Sequence, residues 1–495
     1  MADISIDLAR KIGTIDPNIY GGFIEHLGRC IYGGIYEEGS PLSDEHGFRT
    51  DVMQAVRDLH PPVLRWPGGN FVSAYHWTDG IGPVEKRPPQ MELAWHSVET
   101  NRFGTDEFMH YCRLMQIEPY LCVNMGTGTM DEARAWVEYC NGTGNTYWAN
   151  LRRQHGHEQP YNVKYWGLGN EMYGEWQVGA LSAEDYVKKA REFAKVMKWT
   201  DPTIKLVGCG QTGWADWDRV VIEGLASHID YYSLHLYTGS DDYYSNVLAP
   251  SLADFALRSC HATIERTRYA QQVQHPIHIA FDEWNVWFRQ RSPESELEER
   301  YTLADALAVS AYLNAFIRHC TSVKMANLAQ LVNVIAPIFT SKEGLFLQTI
   351  YHPLRLYAEH MQEIGLDVHV ESPLAPLSLE NEHSAWGQQL ARLGPFKQLD
   401  VVASCDAGEK LLSLAVINRD QVQAHETVLH FADALTISTI DVYEVNGPQP
   451  LSTNSFAEPS VVTVQERRLE TPGEGKPFTY TFPAHSLTVL LLHLV

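Results

Sequence analysis

Hydrophobic and polar positions alternate along roughly the first 370 residues in the way that parallel strands separated by helices do. Short apolar runs recur from about residue 18, and each is bounded by glycine, proline or polar residues, as buried parallel strands are. The runs are IYGGFIEHLG (19–28), VLRWPGGN (63–70), YLCVNMGTG (120–128), NVKYWGLGNE (162–171), IKLVGCG (204–210), IDYYSLHLY (229–237), IHIAFDEWN (277–285) and VKMANLAQLVN (323–333).

Helical patterns lie between these runs. Segment 182–201 opens with Ser182, a good N-cap residue, and Asp185 occupies the capping-box position three residues later. Segment 301–320 is apolar on most faces, and segment 351–361 follows the last run. Eight strand–helix units predict a (β/α)8 TIM barrel spanning residues 16–370. An open doubly wound sheet is the competing interpretation, because the strand count depends on one sequence.

The pattern changes near residue 370, where alternating or β-rich segments separated by turns begin. They predict an antiparallel, jelly-roll-like β-sandwich built from residues 371–495 together with residues 1–15. The N-terminal part is included because ISIDLA (4–9) alternates too. The C-terminal segments are LDVVASC, KLLSLAVINR, ETVLHFA, TISTIDVYEV and FTYTFPAHSLTVLLLHLV.

Composition and charge narrow the range of partners. The chain has 38 Lys and Arg against 61 Asp and Glu, so its formal charge is −23. An acidic surface of this kind argues against nucleic acid and against anionic membranes as partners, and it is compatible with a neutral sugar. The 13 Trp and 24 Tyr residues suit stacking on sugars, although core packing uses the same residues.

The cellular location is predicted from three absences. The N-terminus lacks the basic and apolar regions of a secretory signal, and no stretch approaches the roughly 20 apolar residues of a membrane span. The eight cysteines are scattered and form no CxxC pair, so we expect buried, reduced thiols and a cytoplasmic protein.

Polar residues at the carboxyl ends of the predicted strands are the candidate site, because active sites of TIM barrels lie at that end. In chain order they are Glu25, His26, Arg65, Asn70, Asn124, Asn170, Glu171, His235, Tyr237, Asp282, Glu283, Asn285, Asn333 and Gln348.

Two carboxylates stand out within this set. Glu171 and Glu283 follow the fourth and seventh runs, which lie on opposite sides of the mouth of an eight-stranded barrel. A facing pair of acids suits cleavage of a glycosidic bond, which needs a proton for the leaving oxygen and a nucleophile or base at the anomeric carbon. Either glutamate alone also fits a cap or a surface turn.

Other chemistries find less support. No H-E-x-x-H motif accompanies the histidines, so the sequence predicts no metal site. The glycine clusters at 67–70 and 126–129 match neither a P-loop nor G-x-G-x-x-G, and we expect them to allow close backbone approach instead.

Five motifs in order resemble glycoside hydrolase family 51, the α-L-arabinofuranosidases, and the resemblance covers essentially the whole chain. They are YGGFIEHLGRCIYGGIY, LRWPGGNFVSAYHW, KYWGLGNEMYGEWQVG, YSLHLY and IAFDEWNVWF. The resemblance implies a retaining barrel enzyme with catalytic glutamates at strands four and seven, acting on arabinose-containing oligosaccharides. It also implies a cofactor-free, intracellular and often hexameric protein.

The resemblance assigns roles residue by residue. Glu171 would be the general acid/base and Glu283 the nucleophile, which Arg65 and Tyr237 would orient and keep ionised. The residues expected to bind or line the sugar are Glu25, Asn70, Asn170, Tyr237, Gln348, Trp95 and Trp287.

A retaining mechanism requires carboxyl groups about 5–5.5 Å apart, whereas inversion needs about 6.5–9.5 Å. We also expect Glu171 to have a raised pKa while Glu283 is charged. The alternatives are a β-xylosidase or endo-glucanase of the same clan, and a carbohydrate-binding barrel without turnover. The β-rich tail is expected to be structural, with carbohydrate binding as its alternative role.

Overall fold

The computed structural model describes residues 2–288, 297–376, 385–432, 435–470 and 478–495. The strands, in chain order, are β1 (Ala2–Thr14), β2 (Gly21–Phe23), β3 (Val63–Trp66), β4 (Gln90–Met91), β5 (Val98–Glu99), β6 (Glu118–Cys122), β7 (Tyr165–Leu168), β8 (Lys205–Gly208), β9 (Tyr231–Thr238), β10 (His278–Val286), β11 (Val323–Ala329), β12 (Ile338–Thr340), β13 (Leu345–Leu347), β14 (Ile364–Glu371), β15 (Leu399–Cys405), β16 (Leu411–Asn418), β17 (His425–Phe431), β18 (Ile437–Asn446), β19 (Thr463–Leu469), β20 (Phe478–Phe482) and β21 (Ser486–Leu494).

The α-helices are α1 (Thr50–Leu59), α2 (Thr105–Met115), α3 (Met130–Asn141), α4 (Tyr147–Gln154), α5 (Ala183–Thr200), α6 (Asp216–Leu225), α7 (Tyr243–Leu248), α8 (Ser251–Gln271), α9 (Leu303–Arg318), α10 (Tyr351–His360) and α11 (Ala385–Leu393). Short 3-10 helices cover Pro17–Tyr20, Asn70–Ala74, Trp77–Gly80 and Val84–Lys86.

The eight apolar runs form a closed parallel barrel in the order β2-β3-β6-β7-β8-β9-β10-β11. The predicted TIM barrel is confirmed, and the competing open sheet is excluded because β11 pairs with β2 and closes the ring. Inside the barrel, seven strands contribute one residue each to a separate buried cluster, and β2 contributes Gly21 at the same level. A Cβ on Gly21 would lie 2.6 Å from the Val63 side chain, so glycine is required there. The cluster consists of Val63, Tyr120, Tyr165, Val207, Tyr231, Ala280 and Met325.

A second, nine-stranded sheet packs beside the barrel in the order β19-β18-β21-β16-β15-β14-β1-β17-β20. Its two end strands meet again, because the Arg467 guanidinium on β19 donates to the Tyr480 hydroxyl on β20. The sheet therefore folds over its own apolar core, as a sandwich does. β14 begins at Ile364, so the sheet takes in residues before the expected boundary at 371.

The pairing of this sheet differs from the prediction at one place. β1 runs antiparallel to β14 but parallel to β17, so the sandwich is mixed rather than wholly antiparallel. The direction of β1 is free to differ, because no hairpin joins this N-terminal strand to its distant partner β17.

Helix α9 lies between the two parts of the molecule, which explains why its sequence is apolar on most faces. Its residues from Leu303 to Ile317 are all buried, and they share one core with Ala415, Ile417 and Val489 of the second sheet. Arg318 at its end pairs with Asp254 of the barrel layer at 2.9 Å and with Asp400 of β15 at 2.6 Å. Barrel and sandwich are thus joined by a shared apolar core and by charged pairs.

All eight cysteines are buried and unpaired, as the sequence predicts. Within the described ranges, none of the helices combines the length and the apolar character that crossing a membrane requires.

Candidate active site

The ends of β7 and β10 place Glu171 and Glu283 at the carboxyl end of the barrel, at its fourth and seventh strands. Glu171 lies just beyond β7, in a sharp turn where Gly169 has a φ of 79° and Glu171 itself a φ of 43°. A left-handed conformation at a residue that is not glycine is costly, and such residues are concentrated at functional sites.

An irregularity in β10 explains how two neighbouring acids point into the same site. Ala280 pairs with Ser233 and Glu283 with His235, so β10 has one more residue than β9 over this interval. Side chains of a regular strand alternate between its faces, whereas a bulge re-aims one of them. Asp282 and Glu283 consequently both contact Arg65.

The two glutamates approach the same ring nitrogen of His235. The Nδ1 atom of His235 lies 2.9 Å from Glu171 Oε1 and 3.5 Å from Glu283 Oε2. One atom from each of the three side chains lies within 4.8 Å of the others. This closest approach of the two carboxylates is shorter than the separation of about 6.5 Å or more in inverting glycosidases, and it agrees with a retaining pair.

Glu283 is held from two sides by the residues predicted to orient it. Arg65 Nη1 donates to Glu283 Oε1 at 2.9 Å, and the Tyr237 hydroxyl donates to Oε2 at 2.9 Å. Arg65 also donates to Asn170 Oδ1 at 2.6 Å, which leaves the buried Asn170 amide Nδ2 without a partner among the described residues. A buried amide that has no partner and lies beside Arg65 is suited to bind a hydroxyl group.

Asp282 forms the base of the site. It accepts hydrogen bonds from the Tyr120 hydroxyl at 2.7 Å and from the Ser233 hydroxyl. Burial alone would raise the pKa of Asp282, but Arg65, His235 and Ser233 outweigh it and lower that pKa to about 2. Asp282 is therefore a permanent anion that balances the charge of Arg65.

The order of the two glutamate pKa values corrects the sequence-based expectation. Burial would raise the pKa of Glu171, but hydrogen bonds with His235, Trp176 and Tyr173 outweigh burial and lower it. The pKa of Glu283 is instead raised, by burial and by the charges of Glu171 and Asp282. The expected raised pKa of Glu171 is therefore wrong for this arrangement, in which the surrounding donors stabilise its charged form.

His235 is the physical reason for this reversal. Burial would lower its pKa, yet Glu283, Asp282 and Glu171 raise it to about 10. The imidazole is therefore charged at neutral pH and holds a proton within 2.9 Å of Glu171. The site therefore holds a proton on the ring next to Glu171.

Glu25 lies after β2 and is only 3% exposed. Its Oε1 accepts from the Phe71 backbone N–H at 3.0 Å and from the Trp95 indole at 3.1 Å, and its Oε2 accepts from the Gln330 amide at 3.1 Å. Burial raises the pKa of Glu25 to about 7, despite these donors.

Three of the residues predicted to bind or line the sugar, Trp95, Trp287 and Asn70, are partly exposed, as contact with a substrate requires. Trp95 lies between β4 and β5, and Trp287 is 38% exposed and packs edge-on against Tyr237 at 5.4 Å. Asn70 begins a 3-10 helix, and within the described ranges its side chain makes no hydrogen bond. These three side chains are available to a ligand.

Gln348 does not join this group. Its amide donates to the backbone oxygens of Glu299 at 2.9 Å and Ala336 at 2.8 Å, and it accepts from the Tyr301 N–H at 3.1 Å. Both amide hydrogens bond to the loops that follow β10 and β11, so Gln348 offers no N–H to a sugar. Its position supports the loop and corrects the expectation that it lines the pocket.

Several other polar residues at strand ends serve the framework. Asn124 accepts from the N–H groups of Gly126 and Gly128, and Asn285 donates to two backbone oxygens. His26 accepts from the Trp66 indole at 3.0 Å. Asn333 accepts from the Thr340 N–H at 2.8 Å.

Sequence reasoning missed two residues that contact Glu171. Trp176 donates its indole N–H to Oε2 at 2.8 Å, and Tyr173 donates its hydroxyl to Oε1 at 3.1 Å. Both lie on the loop that follows β7, within five residues of Glu171. Their nearness in sequence was the available signal, because a tight turn brings such neighbours back onto the acid.

Two protein-family models match most of the chain. A family model described as the alpha-L-arabinofuranosidase 1 domain matches residues 55–249, and one described as the alpha-L-arabinofuranosidase C-terminal domain matches residues 282–486.

Three individual proteins show how far the likeness extends. The probable alpha-L-arabinofuranosidase C of Aspergillus niger is 45% identical over 503 aligned residues, which cover 98% of this chain and 96% of that protein. An intracellular exo-alpha-(1->5)-L-arabinofuranosidase of Halalkalibacterium halodurans is 45% identical over 75% of this chain and 78% of its own. The structure of a thermostable GH51 alpha-L-arabinofuranosidase from Thermotoga petrophila superposes with a TM-score of 0.90 at 43% identity, covering 99% of this chain and 100% of that one. On this evidence the chain belongs to glycoside hydrolase family 51, the α-L-arabinofuranosidases.

Proposed function

We propose that this chain releases terminal, non-reducing α-L-arabinofuranosyl residues from arabinose-containing oligosaccharides by a retaining double displacement. The observation that carries the proposal is the approach of Glu171 and Glu283 around His235, within 4.8 Å of one another. The relative from Halalkalibacterium halodurans, named as an exo-alpha-(1->5)-L-arabinofuranosidase, supports the substrate class.

Glu283 is the nucleophile in this proposal. Its carboxylate attacks the anomeric carbon and forms a sugar ester while the glycosidic oxygen leaves with a proton from Glu171. Water, deprotonated by Glu171, then attacks the ester and releases arabinose with its configuration retained. Arg65 and Tyr237 keep Glu283 fixed and stabilise its negative charge.

The protonated ring of His235 is the source of the proton for the first step. Transfer of its Nδ1 proton across 2.9 Å produces a neutral imidazole and a protonated Glu171, ready to act as the acid. The loss of the positive charge beside Glu283 also makes its carboxylate a stronger nucleophile. Binding of a neutral sugar, which excludes water, favours this internal transfer because it neutralises a buried ion pair.

Sugar binding is assigned to side chains around this pair. Glu25, Asn70 and Asn170 offer polar atoms to the hydroxyl groups, while Trp95 and Trp287 form the walls. Glu283 is 5% and Glu25 3% exposed, so the reacting centre lies in a confined space. A confined pocket suits one terminal residue of a chain, and an internal cut requires an open cleft.

Two substitutions test the roles of the glutamates. Glu283→Ala is expected to abolish turnover on every substrate. Glu171→Ala is expected to slow hydrolysis of an arabino-oligosaccharide by roughly 10²–10⁴-fold, and to slow a dinitrophenyl arabinoside far less, because good leaving groups need little protonation. An equal loss on both substrates would contradict the assignment of the acid.

A panel of nitrophenyl glycosides separates the alternatives. Preference for the α-L-arabinofuranoside supports the proposal, whereas preference for a β-xyloside or for internal bonds of a glucan indicates one of the other enzymes of the clan. Hydrolysis of none of them indicates a binding protein.

We further propose a cytoplasmic location and a homo-oligomeric, hexameric assembly without a required cofactor, nucleic acid or membrane partner. The unpaired cysteines support the location. Sedimentation or light scattering of the purified chain gives the assembly state directly, and a monomer would contradict this part of the proposal.

A further inference from the structure

The ring nitrogen of His235 and the carboxylates of Glu171 and Glu283 also form a set of metal ligands. Imidazole nitrogen and carboxylate oxygen are both ligands of Zn²⁺, at about 2.0–2.1 Å and 2.0–2.2 Å respectively. Two such ligands at a tetrahedral angle lie about 3.3–3.4 Å apart. The observed distances from His235 Nδ1 are 2.9 Å to Glu171 Oε1 and 3.5 Å to Glu283 Oε2, and the two carboxylates offer oxygens within 4.8 Å of each other, so side-chain movements of up to about 1.5 Å are needed.

The outer contacts of this set would suit a bound metal ion. Asp282 Oδ1 lies 3.4 Å from His235 Nε2, on the side of the ring opposite the two glutamates. A carboxylate behind a ligating histidine fixes the ring and makes it a better donor. Arg65 and Tyr237 fix the Glu283 carboxylate in the same way, and Trp176 fixes that of Glu171.

The local charge favours a divalent cation as well. Three carboxylates, those of Glu171, Asp282 and Glu283, surround the space, and Arg65 contacts Asp282 and Glu283. Among the described residues, no other group of three or more His, Cys, Asp or Glu side chains brings its ligand atoms this close together.

We propose that Zn²⁺ displaces the Nδ1 proton of His235, which is released to solvent, binds between Glu171, His235 and Glu283, and inhibits the enzyme. The ion uses the side chains assigned to proton transfer and nucleophilic attack, so it cannot be a cofactor of that reaction. It would occupy the space of the anomeric carbon, and its fourth coordination position would face the sugar pocket. Inhibition is therefore competitive with substrate.

Calorimetric titration of chelator-treated protein with zinc chloride tests the site without reference to turnover. We expect one Zn²⁺ per chain, and an affinity at least ten-fold weaker in Glu171→Gln, His235→Asn and Glu283→Gln. Glu25→Gln is the matched control, since Glu25 is a buried carboxylate of the same pocket outside the ligand set, and its Zn²⁺ affinity is expected to stay within two-fold. Magnesium chloride serves as the hard cation that acidic surface groups would bind, and no saturable heat is expected from it.

Circular dichroism and the urea midpoint of each variant establish that the protein is folded, and a variant that fails this check is replaced by Glu283→Asp, which shortens the ligand. Unchanged Zn²⁺ affinity in the ligand variants, or an equal loss in Glu25→Gln, would overturn the proposal. In the unmodified protein, zinc should raise KM on a nitrophenyl arabinofuranoside without changing kcat, and EDTA should reverse the effect. The calorimetric result holds whether or not the chain hydrolyses that substrate, so a failure of the metal site and a failure of the proposed function are distinguishable.

Discussion

Glu25 gives a prediction in which stability and function oppose each other. The carboxyl is buried, and its pKa rises from the ordinary value of 4.5 to about 7. Between these two pH values the unfolded chain has lost a proton that the folded protein still holds. Folding stability therefore falls as pH rises from 4.5 to 7, and the full deficit remains above pH 7.

The difference of 2.5 between the two pKa values corresponds to about 3.4 kcal/mol at 1.36 kcal/mol per pH unit. Between pH 5 and pH 8 the same two pKa values give a loss of about 2.5 kcal/mol. In Glu25→Gln the amide does not ionise, so the variant does not undergo this loss of stability. The variant gives up the hydrogen bond from the Gln330 amide, but at both pH values, so that cost cancels in the comparison.

The assay is urea denaturation of the unmodified chain and of Glu25→Gln at pH 5 and pH 8. The free energy of unfolding of the variant should gain about 2.5 kcal/mol on the unmodified chain between the two pH values. Glu426→Gln, an exposed position on β17, provides the baseline. A difference that does not change with pH, or one that favours the unmodified chain at pH 8, would refute the reasoning. Glu25→Gln should also raise KM, because the Glu25 carboxylate is proposed to bind a sugar hydroxyl.

Three further substitutions have defined outcomes. Trp176→Phe keeps an aromatic ring but removes the N–H that Glu171 accepts at 2.8 Å. We expect the pKa of Glu171 to rise, which moves the basic limb of the pH–rate profile, where the acid loses its proton, to higher pH by about one unit. Tyr237→Phe removes the donor to Glu283 and should lower kcat/KM about ten-fold or more, and a change under two-fold in steady-state kinetics would argue against an orienting role. Arg318→Met removes the cation that Asp254 and Asp400 share and leaves them with His319 and Arg419 respectively, and it should lower the free energy of unfolding by about 2 kcal/mol in urea with kcat unchanged.

The barrel was predictable because its strands are buried on both faces. Each appears in the sequence as a short apolar run with polar boundaries, so the count of eight and the positions of Glu171 and Glu283 followed directly. Strand β19 shows the opposite case. It is a mostly exposed edge strand of largely polar residues, TVQERRL, with no apolar face for the pattern to reveal.

The electrostatics of the site could not be read from the sequence in the same way. The inward direction of both Asp282 and Glu283 depends on a bulge that becomes visible only when β10 is paired with β9. The lowered pKa of Glu171 depends on His235, 64 residues away along the chain. The roles of Gln348 and His26 likewise depend on distant backbone and indole partners. Local sequence identifies which residues reach the site, and long-range contacts decide their charge.

The configuration of the first sugar released tests the central mechanistic claim most directly. Proton NMR of 4-nitrophenyl α-L-arabinofuranoside hydrolysis, recorded before mutarotation, should show the α-anomer of L-arabinose first, since a sugar ester on Glu283 requires two inversions. Initial appearance of the β-anomer would mean that water attacks directly, and that these two carboxylates do not form the covalent intermediate.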